Sequence, residues 1–482
     1  MRLLPVLAFV TMTSVSQATQ RPSIIVVFTD DHGFADLSCQ GSVDDIRTPH
    51  IDALASSGVR MTNGYVTAPQ CVPSRAGILT GRYQNRFGVE SNGKGPLPLS
   101  EKTIADRMSD AGYTTGMVGK WHLAPNHTDI DWIRQHISGV TLENARAQFF
   151  RIGVRKTAPY RAGRRGFAEF YEGPLRRYFA NFDLVGQSLR PTGEDVLHRN
   201  GFRVDIQSDA AVAFINRNYA SPFFLYLAYF APHVPLEATE KYLQRFPENM
   251  PRRRRLALAM LSAVDDGVGR VMETLRRHKI EENTLIFVIG DNGAPLKIHK
   301  ADTPGDGPGW DGSLNDPFNG EKGMLTEGGI RVPFIVRWKG TLPEGVQFHK
   351  PVISLDVAAT SIALAGQSED PQLDGVNLIP FLTGKRADAP HRTLYWRWVD
   401  QAAIRSGRWK YLRGGSREYL FDLFHDKEEQ NNVISKHADT AKLLSKKLSA
   451  WCQELKPAGF STAPLTRDSK AFFDYYLDDL SP

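Results

Sequence analysis

The chain has 482 residues, 41% of them hydrophobic and 23% charged, with a formal net charge of +6 at pH 7. These proportions exclude a disordered or fibrous protein, and the length exceeds what one ordinary core serves, so one large domain with an appendage, or two domains, is expected. Three cysteines are too few for a disulfide-dense scaffold, and the basic excess favours polyanionic partners.

At the start, Met1-Arg2, an apolar run over 3–15 and the small-residue stop Ser16-Gln17-Ala18 have the three regions of a secretory signal, so residues 1–18 are expected to be removed. Export, to a periplasm or the extracellular space, is the expectation. No later segment is apolar enough to span a bilayer, so no integral membrane segment is expected. Residues 24–28 read as a buried strand, Pro49 opens a helix over 48–55, and another helix over 100–111 stops at Gly112. A strand over 114–118 comes next. Then 123–203 is Gly-rich and Arg-rich with little periodicity, carrying Arg151, Arg155, Arg161, Arg164, Arg165, Arg176 and Arg177. Such a long irregular excursion reads as a functional surface.

Regular alternation then resumes, with a helix over 205–216 and a strand over 223–230. The longest helix covers 252–278, with Leu256, Met260, Val264, Val268, Val271 and Leu275 on one face, and strands over 285–289 and 332–336 come after it. Strands alternating with helices predict an α/β fold with a large, mainly parallel sheet sandwiched by helices. After about 390 the texture becomes short alternating segments at 402–404, 409–412 and 419–422, then a helix over 438–455. The expected division is therefore 19–390 as the main domain and 391–482 as a small α+β subdomain with an antiparallel sheet.

Polar residues at the strand ends point to a site. The first strand delivers Asp30 and Asp31, the second Lys120 and His122, the third His233, and the fourth Asp291 and Asn292. Ligands of open parallel sheets bind beyond the carboxyl ends of the strands, so these residues should converge. Asp30, Asp31, Asp291 and Asn292 offer only oxygen, which selects calcium or magnesium over zinc.

Between the first two strands lies Cys71-Val72-Pro73-Ser74-Arg75-Ala76-Gly77-Ile78-Leu79-Thr80-Gly81-Arg82. Pro73 suits a first helical turn and Gly81 a left-handed stop, so a short helix should open at Cys71 and aim free N–H groups near it. Arg75, one turn on, shares the face of Cys71. Cys39 and Cys452 remain, paired or free.

The Cys-x-Pro-Ser-Arg and Leu-Thr-Gly-Arg elements resemble the signature of the type I sulfatases, of the alkaline phosphatase superfamily. Asp30-Asp31-His32-Gly33, Gly290-Asp291-Asn292-Gly293, Lys120-Trp121-His122, Pro232-His233 and Lys322 before Glu327-Gly328-Gly329-Ile330-Arg331 match further family motifs, and 404–410 and 420–423 resemble its C-terminal region. The resemblance implies that a maturation enzyme oxidises Cys71 to formylglycine. It also implies that calcium is held by Asp30, Asp31, Asp291, Asn292 and the side chain of residue 71. Arg75 and Lys120 then steady the nucleophile, Lys322 and His233 hold the sulfate, His233 protonates the leaving alcohol, and His122 acts as base. Arg331 supports.

The expected activity is hydrolysis of sulfate esters. Export and the basic excess point to a sulfated carbohydrate rather than nucleic acid. A phosphate or phosphonate ester hydrolase on the same fold is the nearest alternative, and a glycan-binding protein without turnover is the other.

Overall fold

Among the described residues of the computed structural model, 21–189, 196–298, 312–461 and 463–480, ten strands form one sheet. The proposed signal over 1–18 lies outside them. In chain order the strands are β1 (Ser23–Asp30), β2 (Val59–Met61), β3 (Gly64–Tyr65), β4 (Thr114–Gly119), β5 (Glu169–Glu172), β6 (Arg177–Ala180), β7 (Val196–His198), β8 (Phe223–Pro232), β9 (Thr284–Gly290), β10 (Phe334–Arg337) and β11 (Val346–Phe348). Leaving out β3, they lie side by side as β11-β2-β10-β9-β1-β8-β4-β5-β6-β7. The centre, from β9 to β5, is parallel. Strand β10 runs against both of its neighbours, and β5 to β7 form an antiparallel edge. The predicted sheet is therefore present, and mixed at its margins.

Strand β1 shows why it sits in the middle. Ile24, Val26 and Phe28 face one hydrophobic cluster and Ile25 and Val27 the other, all 0–1% exposed, as a strand covered on both faces requires. Each such side chain contributes about 1.5–3 kcal/mol of burial. The helices Arg203–Asn218 and Arg252–Arg277 cover the second face, and the helix Cys71–Thr80 lies on the first.

On that first face also packs a four-stranded antiparallel sheet, β13 (Thr393–Trp398), β14 (Gln401–Ser406), β15 (Trp409–Gly414) and β16 (Arg417–Asp422), backed by the helix Ala438–Gln453. Its Trp396 is fully buried and donates to Val66 O at 2.7 Å. A two-stranded ladder pairs β3 with β12 (Val352–Ile353). Cys39, Cys71 and Cys452 are all free thiols.

The Arg-rich excursion holds more structure than its sequence suggests. It contains short helices and strands β5 to β7, and Arg165 is buried, donating to Leu97 O, Pro98 O and Glu101 O. That arginine braces the fold and is no part of a solvated surface.

Candidate active site

Helix Cys71–Thr80 begins after an extended Gln70 (φ −154°, ψ 148°) and ends at Gly81, whose φ of 69° favours glycine. All ten of its residues are buried. Gly77 lets it lie against Thr67: a Cβ there would stand 2.4 Å from Thr67 Oγ1. The expected free N–H groups at its start are not all free, because Val72 N–H donates to Asn92 Oδ1 at 3.0 Å and Asn92 N–H to Gln70 Oε1 at 2.8 Å. Asn92 was not legible in the sequence, since no motif marks it.

Cys71 Sγ lies 3.4 Å from Asp30 Oδ1 and 4.0 Å from Asp31 Oδ1. Around them the strand ends close in. Lys120 Nζ is 2.7 Å from Asp30, Lys322 Nζ is 2.8 Å from Asp31, and Arg75 Nη2 bridges Asp291 at 2.7 Å and Asp30 at 3.3 Å. Asp31 N–H donates to Asp291 Oδ1 at 3.0 Å, and Asn292 Nδ2 to Asp31 Oδ1 at 2.8 Å. Asp31 holds this place at φ 61° and His122 at φ 60°, backbone geometry that few non-glycine residues adopt and that functional sites often carry.

The structure thus brings together Asp30, Asp31, Cys71, Arg75, Lys120, His233, Asp291, Asn292 and Lys322. His122 is half-buried beside them, within electrostatic reach of Lys120, Arg75 and Asp30, and among the described residues its buried Nδ1 has no hydrogen-bond partner. Lys322 is tied in by its N–H to Ala294 O at 3.1 Å, and Gly323 N–H to Pro69 O at 3.0 Å. Arg331 donates to Glu327 at 3.0 Å and to Thr62 O, a supporting role.

Electrostatics sort these groups. Burial would raise Asp30, but Lys120, His233 and Arg75 outweigh it and hold the carboxyl well below its usual range. Burial and then Asp30 push Asp291 up to about 7. The Cys71 thiol is driven far up by burial, with Lys120 and Lys322 only partly opposing, so its thiolate is not a species this site favours. Burial and then Lys120 take His233 down to about 4. Its Nδ1 donates to Val234 O at 2.8 Å, which leaves a neutral ring with a bare Nε2 facing Asp31 Oδ2 at 3.6 Å. His122 is pushed well down, by burial first and then Lys120 and Arg75. Arg203, which sequence reasoning passed over, donates to the carbonyls of His233 and Pro235 and lies 4.5 Å over Phe230, the ring on which His233 stacks. It positions that histidine.

The donor set fits a hard cation. Three buried carboxylates converge with an amide, and among the described residues the buried Asn292 Oδ1 has no partner. Ligand atoms from Asp30, Asp31, Cys71 and His233 lie within 4.8 Å of one another. That grouping by distance contains His233 and lacks Asp291. Asp291 is attached through Asp31 N–H and Arg75, and its oxygens keep lone pairs free for a cation.

Residues 22–367 match the family model described as Sulfatase, and residues 319–454 match that of the N-sulphoglucosamine sulphohydrolase C-terminal region. The chain is similar to an arylsulfatase of Hemicentrotus pulcherrimus, 32% identical over 81% of this chain and 67% of that one. It is also similar to an N-acetylgalactosamine-6-O-sulfatase of Bacteroides thetaiotaomicron, 28% identical over 90% and 94%. Among solved structures, Ps i-CgsB in complex with k-i-k-neocarrahexaose superposes with a TM-score of 0.73 at 28% identity, covering 95% of this chain and 97% of that one. With the helix that opens at Cys71 set against paired aspartates and three cations, and a family match over most of its length, the chain belongs to the type I sulfatases and hydrolyses sulfate esters.

Proposed function

We propose that the protein is an exported, formylglycine-dependent sulfatase that removes sulfate from a sulfated carbohydrate with the help of a bound calcium ion; magnesium, also a hard cation, fits the same donors. The observation that carries this reading is the placement of Cys71 Sγ 3.4 Å from Asp30, inside a ring of Arg75, Lys120 and Lys322. An unmodified Cys71, whose thiolate is so disfavoured, is a poor nucleophile here, which supports its conversion. Once formed, the hydrated aldehyde would supply a hydroxyl nucleophile and the cation would supply charge neutralisation at the sulfuryl oxygens. Asp30, Asp31, Asp291 and Asn292, with the side chain of residue 71, are the proposed ligands.

The remaining steps belong to side chains of this chain. Lys322 and His233 receive the sulfate group, and Arg75 and Lys120 keep the attacking oxygen in its ionised form. A bound sulfate ester brings negative charge to His233, favouring a proton on Nε2 that can pass to the departing alcohol. His122, half-buried and neutral, with an Nδ1 that has no partner among the described residues, is the base of the second half of the cycle. Residues 19–390 are proposed as the catalytic domain and 391–482 as its subdomain. The carbohydrate assignment is supported by two of the similar proteins, one an N-acetylgalactosamine-6-O-sulfatase and the other solved in complex with k-i-k-neocarrahexaose.

Cys71→Ala tests the reading. Sulfate release should vanish while circular dichroism stays that of the wild type. Turnover retained by that variant ends the proposal. Mass analysis of the tryptic peptide 61–75 from a host with the maturation enzyme should show an aldehyde at position 71. An intact thiol there, in active enzyme, removes the formylglycine. Phosphate and phosphonate monoesters assayed beside sulfate esters should be hydrolysed far less efficiently.

A further inference from the structure

A cleft of about 1000 Å³, whose lining contains none of the residues proposed as metal ligands or catalytic groups, lies between the far edge of the main sheet and the small antiparallel sheet. Strands β2 and β11 run in the same direction as β1, so the residues beyond their carboxyl ends lie at the same end of the sheet as Asp30 and Asp31. Those residues form one wall, and the turn joining β14 to β15 with the segment 423–427 forms the other.

The lining is lopsided in charge. Among the described residues it carries Arg60, Arg331, Lys350, Arg405, Arg408 and Lys427 against a single carboxylate, Asp316. Arg331 and Arg408 already have acidic partners, Glu327 and Asp422. Arg60, Lys350 and Lys427 form no salt bridge among the described residues: Arg60 donates to Gln40 Oε1 at 2.7 Å and Lys350 to the main-chain carbonyls of Ala387 and Asp388. Three cations outside any salt bridge, of which Lys350 alone feels a nearby carboxylate, Asp388, leave the cleft with a net positive lining that attracts a polyanion. Beside them Phe424 stands 77% exposed, 5.8 Å from the Arg408 guanidinium. A flat apolar face next to cations suits a sugar ring bearing anionic groups.

We infer that this cleft is an accessory binding site for a stretch of sulfated polysaccharide, separate from the site of hydrolysis. The choice of polyanion rests on the sulfatase reading; the attraction for negative charge does not. The cleft holds one part of a long chain while another part is presented to the catalytic centre, which raises the effective concentration of ester at the active site.

The test compares dextran sulfate binding with hydrolysis of 4-nitrophenyl sulfate, an ester too small to reach both sites. In Arg60→Gln/Lys350→Gln/Lys427→Gln, dextran sulfate affinity should fall by about tenfold, and the slope of log Kd against log salt should drop by about two. Turnover of 4-nitrophenyl sulfate should stay within about twofold of wild type, a window well below the tenfold expected for binding. A control, Lys442→Gln/Lys446→Gln/Lys447→Gln, removes the same charge from the exposed face of the helix Ala438–Gln453 and should bind as wild type. Equal losses in both triple variants, or none in the first, overturn the inference. So does a single-stranded DNA that binds as tightly as dextran sulfate. Cys71→Ala should keep its polysaccharide binding. If the wild type bound dextran sulfate through the cleft but hydrolysed no sulfate ester, the catalytic reading would fall and the cleft would stand.

Discussion

Lys410→Met offers the sharpest test of how the small sheet is joined to the segment 322–331. Lys410 Nζ on β15 sits 2.9 Å from Glu327 and 2.8 Å from Glu429, and all three side chains are 0% exposed. Glu429 also accepts the N–H of Glu327, and Glu327 accepts from Tyr65 Oη at 2.7 Å and from Arg331. Burial opposes ionisation of Glu327, yet Lys410, Arg331 and Arg405 hold it at about 2. Glu429, raised by burial and then by Glu327 against the pull of Lys410, stands at about 7.

Removing one partner of a buried ion pair costs about 3–5 kcal/mol. The lower end, about 3 kcal/mol, applies near pH 6.5, where Glu429 is mostly protonated and Glu327 keeps Arg331. The pH dependence comes from the sign of the Glu429 shift. Its folded value exceeds the unfolded value of 4.5, so the folded state binds the extra proton and stability falls as pH rises. In the wild type that fall ends near 7. In the variant, without the cation that lowers Glu429, it continues, widening the deficit by up to about 1.4 kcal/mol per pH unit above neutrality. Urea unfolding followed by tryptophan fluorescence at pH 6.5 and 8.5 measures both quantities. A deficit below about 1 kcal/mol, or one equal at the two pH values, refutes the role given to Lys410.

Two further outcomes are expected. Asp291→Ala should lose sulfate release together with bound calcium, read by elemental analysis of the purified protein; unchanged metal content would remove Asp291 from the ligand set. His391, 2.7 Å from Asp356, is raised above its ordinary 6.5 because Asp356 outweighs burial. That pair stabilises below pH 6.5 and the stabilisation fades as pH rises through the folded value, so His391→Gln should destabilise more at pH 5.5 than at pH 8.5. A deficit larger at pH 8.5 would reverse the sign assigned here.

The strand ends were legible because a buried parallel strand reads as an unbroken apolar run, and the polar residue after it must lie at the sheet's carboxyl edge. Asp30, Lys120, His233 and Asp291 are four instances. The helix opening at Cys71 and stopping at Gly81 was legible for a similar reason, since Pro73 and Gly81 punctuate it. Strand β10 shows the limit: an apolar run fixes burial and leaves direction open, so its antiparallel pairing was out of reach. Very short strands such as β2 and β11 carry too few residues for any period to show. The Lys410 lock lay equally hidden, because Glu327 is 83 residues away and nothing local announces the pairing.

The complete burial of helix Cys71–Thr80 bears on the order of events in the life of the chain. Cys71 has no accessible surface once that helix is seated. Any enzyme that rewrites residue 71 must meet the segment while it is still extended, before the strands on either side lock it in place. On the proposed conversion, a chain that folds first would keep its thiol, because a second protein, far larger than a sulfate ester, could not engage the seated helix.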